Sequence, residues 1–510
     1  MKHPSIFLGC MATALATLVD AIAPIEVVGT RLFEAGSGKP FQAKGVDYYP
    51  RPNAGANDVN SLDFFTDDYE YVWRPHIQEF VALGVNAIRL YSVDPAQSHD
   101  KFMCALSAAG IYVTVELVSS CPNCEITGAA YPTCYPPQLK TRGQQVIAAF
   151  AKYNNVLGFS AGNEINHRVA DWTVNAPCQK KFIRDMRAFV NSCASGMRHI
   201  PIGVVLADTD RAQNALYYTC RTDPRDVFEN AEWYGLNAYL QCDNAASLAP
   251  STIGAGYRRL LDDFTSYQLP IPSLLTEYGC LNPGFPTIHG YAAQRTWLDA
   301  GWLLSRAFAD VFAGGFAFEF TTENANSRGD APFPFTSFGG QNYGLGYLDP
   351  VTCDGTPAAP CTFKRMPNFD LLAAQYNAST MTTTSLPSMA AYTPTTTSFP
   401  TCPPTAATLM SVVWPSDATA DMACPDFSQA ALCPGDVLFT SLTLAPSNKT
   451  VAPLPSTSRV PCPPPRRRCP THPSPMERLA PCCRWSAQSW RCLSSIEKTR
   501  EKEVVHDDEL

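Results

Sequence analysis

Val156-Leu157-Gly158-Phe159-Ser160-Ala161-Gly162-Asn163-Glu164 is an apolar run that stops on two polar residues, and Ile271-Pro272-Ser273-Leu274-Leu275-Thr276-Glu277 repeats the pattern further on. Neither run alternates, so each reads as a strand covered on both faces, the condition of a parallel sheet. Working outward, the same texture marks strands over Ala43 to Tyr48, Asn86 to Tyr91, Ile111 to Leu117, Ile202 to Ala207, Trp233 to Ala238 and Gly315 to Phe320, with the two quoted runs placed at Val156 to Ala161 and Ile271 to Thr276. Longer helical patterns lie between them, at Tyr71 to Leu83, Gln138 to Tyr153, Gln179 to Ser192, Ile253 to Phe264 and Tyr291 to Arg306. Eight strands with helical crossovers predict an α/β fold, a (β/α)8 TIM barrel over residues 24–365. A doubly wound open sheet competes, but polar residues recur just after the strand ends all along the series, which favours the barrel.

Composition sets the outer limits. The 510 residues carry a net charge of -8, with 45% hydrophobic and 16% charged residues, so a large core is available and wholesale disorder is excluded. That charge balance offers no bulk attraction for nucleic acid, and none is expected as a partner. Lys2 and His3 precede an apolar run from Ile6 to Val19 and then Asp20-Ala21-Ile22-Ala23, which predicts a signal peptide over 1–23, too short to be a bilayer span of about 20 residues. Secretion makes disulfides the default for Cys104, Cys178, Cys220, Cys242 and Cys280. Two-thirds of Ala378 to Pro404 is Ser, Thr or Pro, so residues 366–404 read as a linker and 405–510 as a largely disordered Cys- and Pro-containing tail. From the end of that linker onward Cys402, Cys424, Cys433 and Cys462 around Trp414 could staple a small module, or the stretch is glycosylated stalk. Asn377-Ala378-Ser379 and Asn448-Lys449-Thr450 match the N-glycosylation sequon. The ending His506-Asp507-Asp508-Glu509-Leu510 lacks the apolar run of a lipid-anchor signal, so membrane attachment is expected only if the genuine C-terminus differs; endoplasmic reticulum retention is a minor alternative.

The chemistry sits on Glu164 and Glu277. One glutamate closing a buried strand is ordinarily a rim residue. Two of them, brought to one face by a barrel and with Asn163 beside the first, fit the acid and the carboxylate that glycosidic bond cleavage requires. No Gly-rich fingerprint follows a strand, so no cofactor is expected. Cys121-Pro122-Asn123-Cys124 has a zinc-like spacing but no second pair, so a loop disulfide is expected and no metal.

From Lys44 to Leu345 the chain resembles the glycoside hydrolase family 72 β-1,3-glucanosyltransferases, wall-remodelling enzymes of fungi often displayed on lipid anchors. The resemblance is carried by Gly45-Val46-Asp47-Tyr48, Leu83-Gly84-Val85-Asn86-Ala87-Ile88-Arg89-Leu90-Tyr91, Ala109-Gly110-Ile111-Tyr112-Val113 and Leu157 to Glu164. Arg184-Asp185-Met186-Arg187, Tyr234-Gly235-Leu236-Asn237-Ala238-Tyr239, Thr276-Glu277-Tyr278-Gly279-Cys280 and Asn342-Tyr343-Gly344-Leu345 continue it. It implies a retaining mechanism with Glu164 as acid/base and Glu277 as nucleophile, acting on β-1,3-glucan donor and acceptor chains of cell-wall polysaccharide, in a secreted or cell-surface setting. In that site Asn163 is expected to bond a sugar hydroxyl, Tyr239 to donate to the nucleophile, Tyr91 to line the donor subsites, Arg89 to brace the carboxylates and Glu319 to bind sugar if its side chain faces the cleft.

Where the family has Tyr-Gln this chain has Tyr48-Tyr49, Glu116 replaces an Asp, and Phe318-Glu319-Phe320 replaces Tyr-Glu-Tyr, so Tyr49 and Glu116 join the expected substrate-binding set. Trp73 replaces a family cysteine, which leaves Cys104 without its usual partner. An endo-β-1,3-glucanase and a non-catalytic wall glucan-binding protein are the alternatives to transfer.

Overall fold

The computed structural model describes residues 22–53, 62–240, 253–279, 296–322, 344–378, 386–404, 406–427 and 433–434. The chain divides into two units, Met1–Phe439 and Thr440–Leu510, and every described residue belongs to the first. The signal segment up to residue 21, Cys242, Cys280, Asn342, Tyr343, Cys462, the second sequon and the chain end lie outside the described residues.

A small antiparallel sheet comes first, made of β1 (Ile25–Val28), β2 (Arg31–Glu34) and β3 (Pro40–Phe41). The barrel strands follow as β4 (Ala43–Asp47), β5 (Ala87–Leu90), β6 (Tyr112–Glu116), β7 (Val156–Asn163), β8 (Ile202–Ala207), β9 (Tyr234–Ala238), β10 (Ser273–Tyr278) and β11 (Phe312–Ala317). They run parallel in chain order, and β11 pairs with β4 to close the ring. Closure brings the backbones close at Gly45, where an added Cβ would lie 2.3 Å from the Phe316 ring. The crossovers include α1 (Glu70–Leu83), α2 (Asp100–Ala108), α3 (Pro137–Phe150), α4 (Ala176–Ser192), α5 (Arg211–Thr219), α6 (Ala255–Tyr267), α7 (Leu298–Leu303) and α8 (Arg306–Ala309). A hairpin of β12 (Gly346–Asp349) and β13 (Thr362–Arg365) and a last helix α9 (Pro367–Ala378) complete the described elements.

Local chemistry explains the boundaries. Pro137 opens α3, where its missing N–H costs nothing. Gly84 ends α1 at φ 79°, and its N–H bonds back to Phe80 and Val81, a left-handed stop that suits glycine. Asn86 then ties the start of β5 to β4, its side chain accepting from Lys44 N–H and donating to the Gln42 carbonyl.

Two apolar bodies form. Ile25, Leu32 and Phe41 of the small sheet pack on Ala43, Ala87, Leu157, Trp233 and Phe316 and floor the barrel at the N-terminal ends of its strands. The larger core lies between strands and helices and includes Trp73, fully buried with Nε1–H donating to the Thr66 carbonyl at 2.9 Å. An indole has thus taken a place against Phe102 that the family resemblance gave to a cysteine.

The fold departs from the sequence expectation in three places. The eighth strand is Phe312–Ala317, so Glu319 lies beyond its end, because the apolar residues continue past the last ladder bond. The catalytic unit does not stop at 365, since α9 packs on the barrel and the Tyr376 hydroxyl donates to the Gly45 carbonyl at 2.6 Å. The described residues 386–404, 406–427 and 433–434 form a strap rather than a free linker and separate module. Cys402, Cys424 and Cys433 are disulfide-bonded to the barrel cysteines Cys220, Cys193 and Cys104, so Cys104 does have a partner. Between those anchors Asp417 pairs with Lys181, Asp421 with Lys140 and Gln144, and Trp414 is buried. A Ser/Thr/Pro-rich stretch has little to bury by itself, but widely spaced aromatics and cysteines suffice to fix it on a preformed surface. Cys121–Cys124, Cys134–Cys178 and Cys353–Cys361 close shorter loops, the first as expected.

Candidate active site

The C-terminal strand ends carry the polar residues. Asp47 ends β4, Glu116 ends β6, Asn163 ends β7 and Glu277 lies one residue from the end of β10, while Arg89 stands just before the end of β5. Both catalytic candidates follow irregular pairing. The β7–β8 register slips between Ser160 and Asn163, and the β9–β10 register slips between Leu275 and Glu277. Such bulges re-aim the next side chains. Glu164 itself has φ 52° and ψ 35°, a left-handed conformation that costs a non-glycine residue about 1 to 3 kcal/mol and persists where the surroundings enforce it. Its N–H is pinned to the Val205 carbonyl at 3.0 Å.

Arg89 is the hub. Its guanidinium is fully buried and donates to Glu116 Oε1 through Nε (3.2 Å) and NH2 (2.8 Å), to Asn163 Oδ1 (2.8 Å), to the Tyr91 hydroxyl (3.1 Å), to the Thr276 carbonyl (3.1 Å) and to Glu277 Oε1 (3.0 Å). Asp47 Oδ1 lies 3.5 Å from the same group. One cation therefore faces three buried carboxyls. Burial raises Asp47 well above the usual carboxylate range and raises Glu116 too, with Arg89 opposing both shifts.

Glu277 receives donors on both oxygens. Tyr239 donates to Oε2 at 2.6 Å, and Tyr91 joins Arg89 on Oε1 at 2.9 Å. Glu164 is differently placed. Its side chain is 20% exposed, Asn237 Nδ2–H donates to its Oε1 at 2.9 Å, and His167 Nδ1 lies 3.8 Å from Oε2. Burial first, and the charge of Glu277 second, push Glu164 up to about 7, against the Asn237 bond and Arg89. A continuous chain of hydrogen bonds joins the two acids through Asn237, Asn163 and Arg89, since Asn237 also donates to Asn163 Oδ1 at 3.1 Å. Two carboxyls in one cleft have thus been given unlike surroundings, one apt to hold a proton near neutrality and one ringed by donors, as a proton donor and a carboxylate nucleophile require.

A pH dependence follows from the direction of that shift. The acid form of Glu164 is lost as pH rises through about 7, so bond cleavage is expected to fall on that limb of the pH–rate profile. In Asn237→Ala the bond favouring the charged form is gone, so the alkaline limb should move upward; a limb that stays or moves down would contradict the placement.

Most of the expected site residues converge: Glu164, Glu277, Asn163, Arg89, Tyr91 and Tyr239 form one network. The other three, Glu116, Tyr49 and Glu319, are buried around the strand ends. Glu116 is buried and its carboxylate is ion-paired with Arg89. Tyr49 is buried among Phe64 and Phe65, its hydroxyl donating to the Leu62 carbonyl at 2.7 Å. Glu319 is also buried, and its backbone carbonyl accepts from Leu345. Asp47 and Asn237 join the network in addition to the expected residues. The signal for Asn237 in the sequence was strand alternation, which puts it on the same face as Tyr239. Thr276, whose hydroxyl donates to Asn237 Oδ1 at 2.8 Å, gave no such signal.

Residues 14–329 match the family model described as Glucanosyltransferase, Glyco_hydro_72. The chain belongs to this family. Among similar proteins, the 1,3-beta-glucanosyltransferase PGA4 of Candida albicans is 30% identical over 315 residues, 61% of this chain and 63% of that one. The 1,3-beta-glucanosyltransferase GAS4 of Saccharomyces cerevisiae is 30% identical over 329 residues, 64% of this chain and 65% of its own. The matched part thus spans less than two-thirds of either relative. Saccharomyces cerevisiae Gas2p in complex with laminaripentaose superposes with a TM-score of 0.53 at 26% identity, covering 70% of each chain. In this glucanosyltransferase-family chain the eight-stranded barrel is the common ground with that structure's fold.

Proposed function

We propose that the protein is a retaining β-1,3-glucanosyltransferase that cleaves a β-1,3-glucan and joins it to the non-reducing end of a second chain, as a secreted or wall-associated enzyme remodelling cell-wall polysaccharide. The observation that carries the reading is the unlike setting of the two acids: Glu164 raised to about 7, and Glu277 held by Arg89, Tyr91 and Tyr239. The named activity of the relatives and the laminaripentaose bound by Gas2p support the choice of substrate.

In the first step a Glu277 oxygen attacks the anomeric carbon as the bond to the leaving oxygen breaks, and the Glu164 proton passes to that oxygen. The glycosyl ester uses up the carboxylate charge. In the second step the 3-hydroxyl of an acceptor glucan attacks the same carbon, gives its proton to Glu164, and releases Glu277 as carboxylate. Arg89 holds Glu277, through Oε1, and Asn163 in one frame, so the nucleophile meets the sugar with little reorganisation.

The test is product length. Incubation of a reduced laminari-oligosaccharide with the protein should yield chains both longer and shorter than the starting material. Shorter chains alone would make the protein a hydrolase, and unchanged substrate would make it a binding protein.

A further inference from the structure

Asp47 stands apart within the hub. It is buried, neither of its carboxyl oxygens has a well-formed hydrogen bond with a described residue, and the Tyr91 hydroxyl stands close enough to bond it. Its cationic neighbour has nothing left to give. Arg89 has five N–H groups, and six acceptor contacts at 2.8 to 3.2 Å already use them on Glu116, Asn163, Tyr91, Glu277 and the Thr276 carbonyl. At 3.5 Å Asp47 lies beyond that set. The charged and titratable groups facing it are Arg89, Glu277, Glu116 and Tyr91, with Tyr376 of α9 behind. A buried carboxylate ion without donors is costly, whereas a carboxylic acid needs just one acceptor.

We propose that Asp47 holds a proton in the resting enzyme and, as a neutral acid turned toward the Tyr91 hydroxyl, is a positioning residue for Glu277. The inference rests on Glu277 being the nucleophile. Tyr91 Oη already accepts from Arg89. A second acceptance, from Asp47, fills its other lone pair and leaves its own proton a single course, to Glu277 Oε1. Neutral Asp47 also withdraws one negative charge from competition for Arg89, so the guanidinium is shared between Glu116 and Glu277. The burial that raises Asp47 acts in the same direction.

The test compares Asp47→Asn with Asp47→Leu in the product-length assay. Asn keeps the size and supplies N–H donors to Tyr91, so kcat and KM are expected within about threefold of the parent, with an unchanged pH profile. Leu leaves Tyr91 Oη without its second donor, so kcat should fall about tenfold with KM little changed. Equal losses in both variants would mean that the charge is required, and parental rates in both would mean that Asp47 has no role; either overturns the proposal. A second measurement is independent of turnover and needs no substitution at Asp47. In full-length protein labelled with 13C at the aspartate carboxyl carbons, one resonance should keep its protonated position at neutral pH and shift in Tyr91→Phe. Absence of such a resonance overturns the proposal, while a silent product assay with the resonance present would sink the glucanosyltransferase reading alone.

Discussion

Replacing Glu277 with Gln is expected to lower glucan cleavage on the order of 10⁴-fold, because an amide oxygen is a poor nucleophile and no other carboxylate is disposed to take its place. Glu116 and Asp47 are fully buried beside Arg89. The fold should survive the change, as Gln fills the same volume and its amide can satisfy Arg89 and Tyr91 through oxygen and Tyr239 through its NH2, once the Tyr239 hydroxyl turns to accept. The measurement is the rate of disappearance of a reduced laminari-oligosaccharide beside a thermal melt. Glu164→Gln supplies the contrast. With a donor bearing an acidic phenol as leaving group, no proton is needed in the first step, so Glu164→Gln should still release phenol in a burst while Glu277→Gln should not. A burst from the Glu277 variant would exchange the two roles.

Arg89→Ala is expected to cost about 3 to 5 kcal/mol of stability as well as most activity, the range for stripping one partner from a buried ion pair. The physical reason is the count of acids around it. Asp47, Glu116 and Glu277 all lie within salt-bridge distance of this one guanidinium, whose side chain is fully buried. Without it the carboxyls must take up protons or admit water, and a protonated Glu277 is no longer a nucleophile. Arg89→Lys keeps the charge but not the planar five-donor fork, so it should recover part of the stability and little of the rate. Melting temperature against kcat separates the two effects, and an Arg89→Ala protein as stable as the parent would show that the acids are already neutral without it.

Much of this was legible in the chain. Eight apolar runs spaced by helical patterns gave the strands to within a few residues, since a strand buried on both faces must be apolar throughout. Glu164 and Glu277 stood out because each breaks such a run at its end. The strap was illegible for the opposite reason: its Ser, Thr and Pro have no periodicity, and what fixes it is a set of single residues whose partners are remote. Cys433 meets Cys104 at a separation of 329 residues, and Cys424 meets Cys193 at 231, distances over which spacing carries no information. The replacements at Tyr49 and Glu116 were read as changes in sugar subsites because they lie near strand ends. Strand ends present two faces, and in both cases the side chain took the buried one.

By itself the sequence determined that a parallel barrel forms and which strand ends bear acids, because both follow from hydrophobic burial at short sequence range. Only the tertiary structure decided how those acids differ. Hydrogen bonding and desolvation act over a few ångströms of space, whatever the separation along the chain. Closing the ring set Arg89 against Asp47, Glu116 and Glu277, and left Glu164 beside Asn237 with its carboxyl raised by burial to about 7.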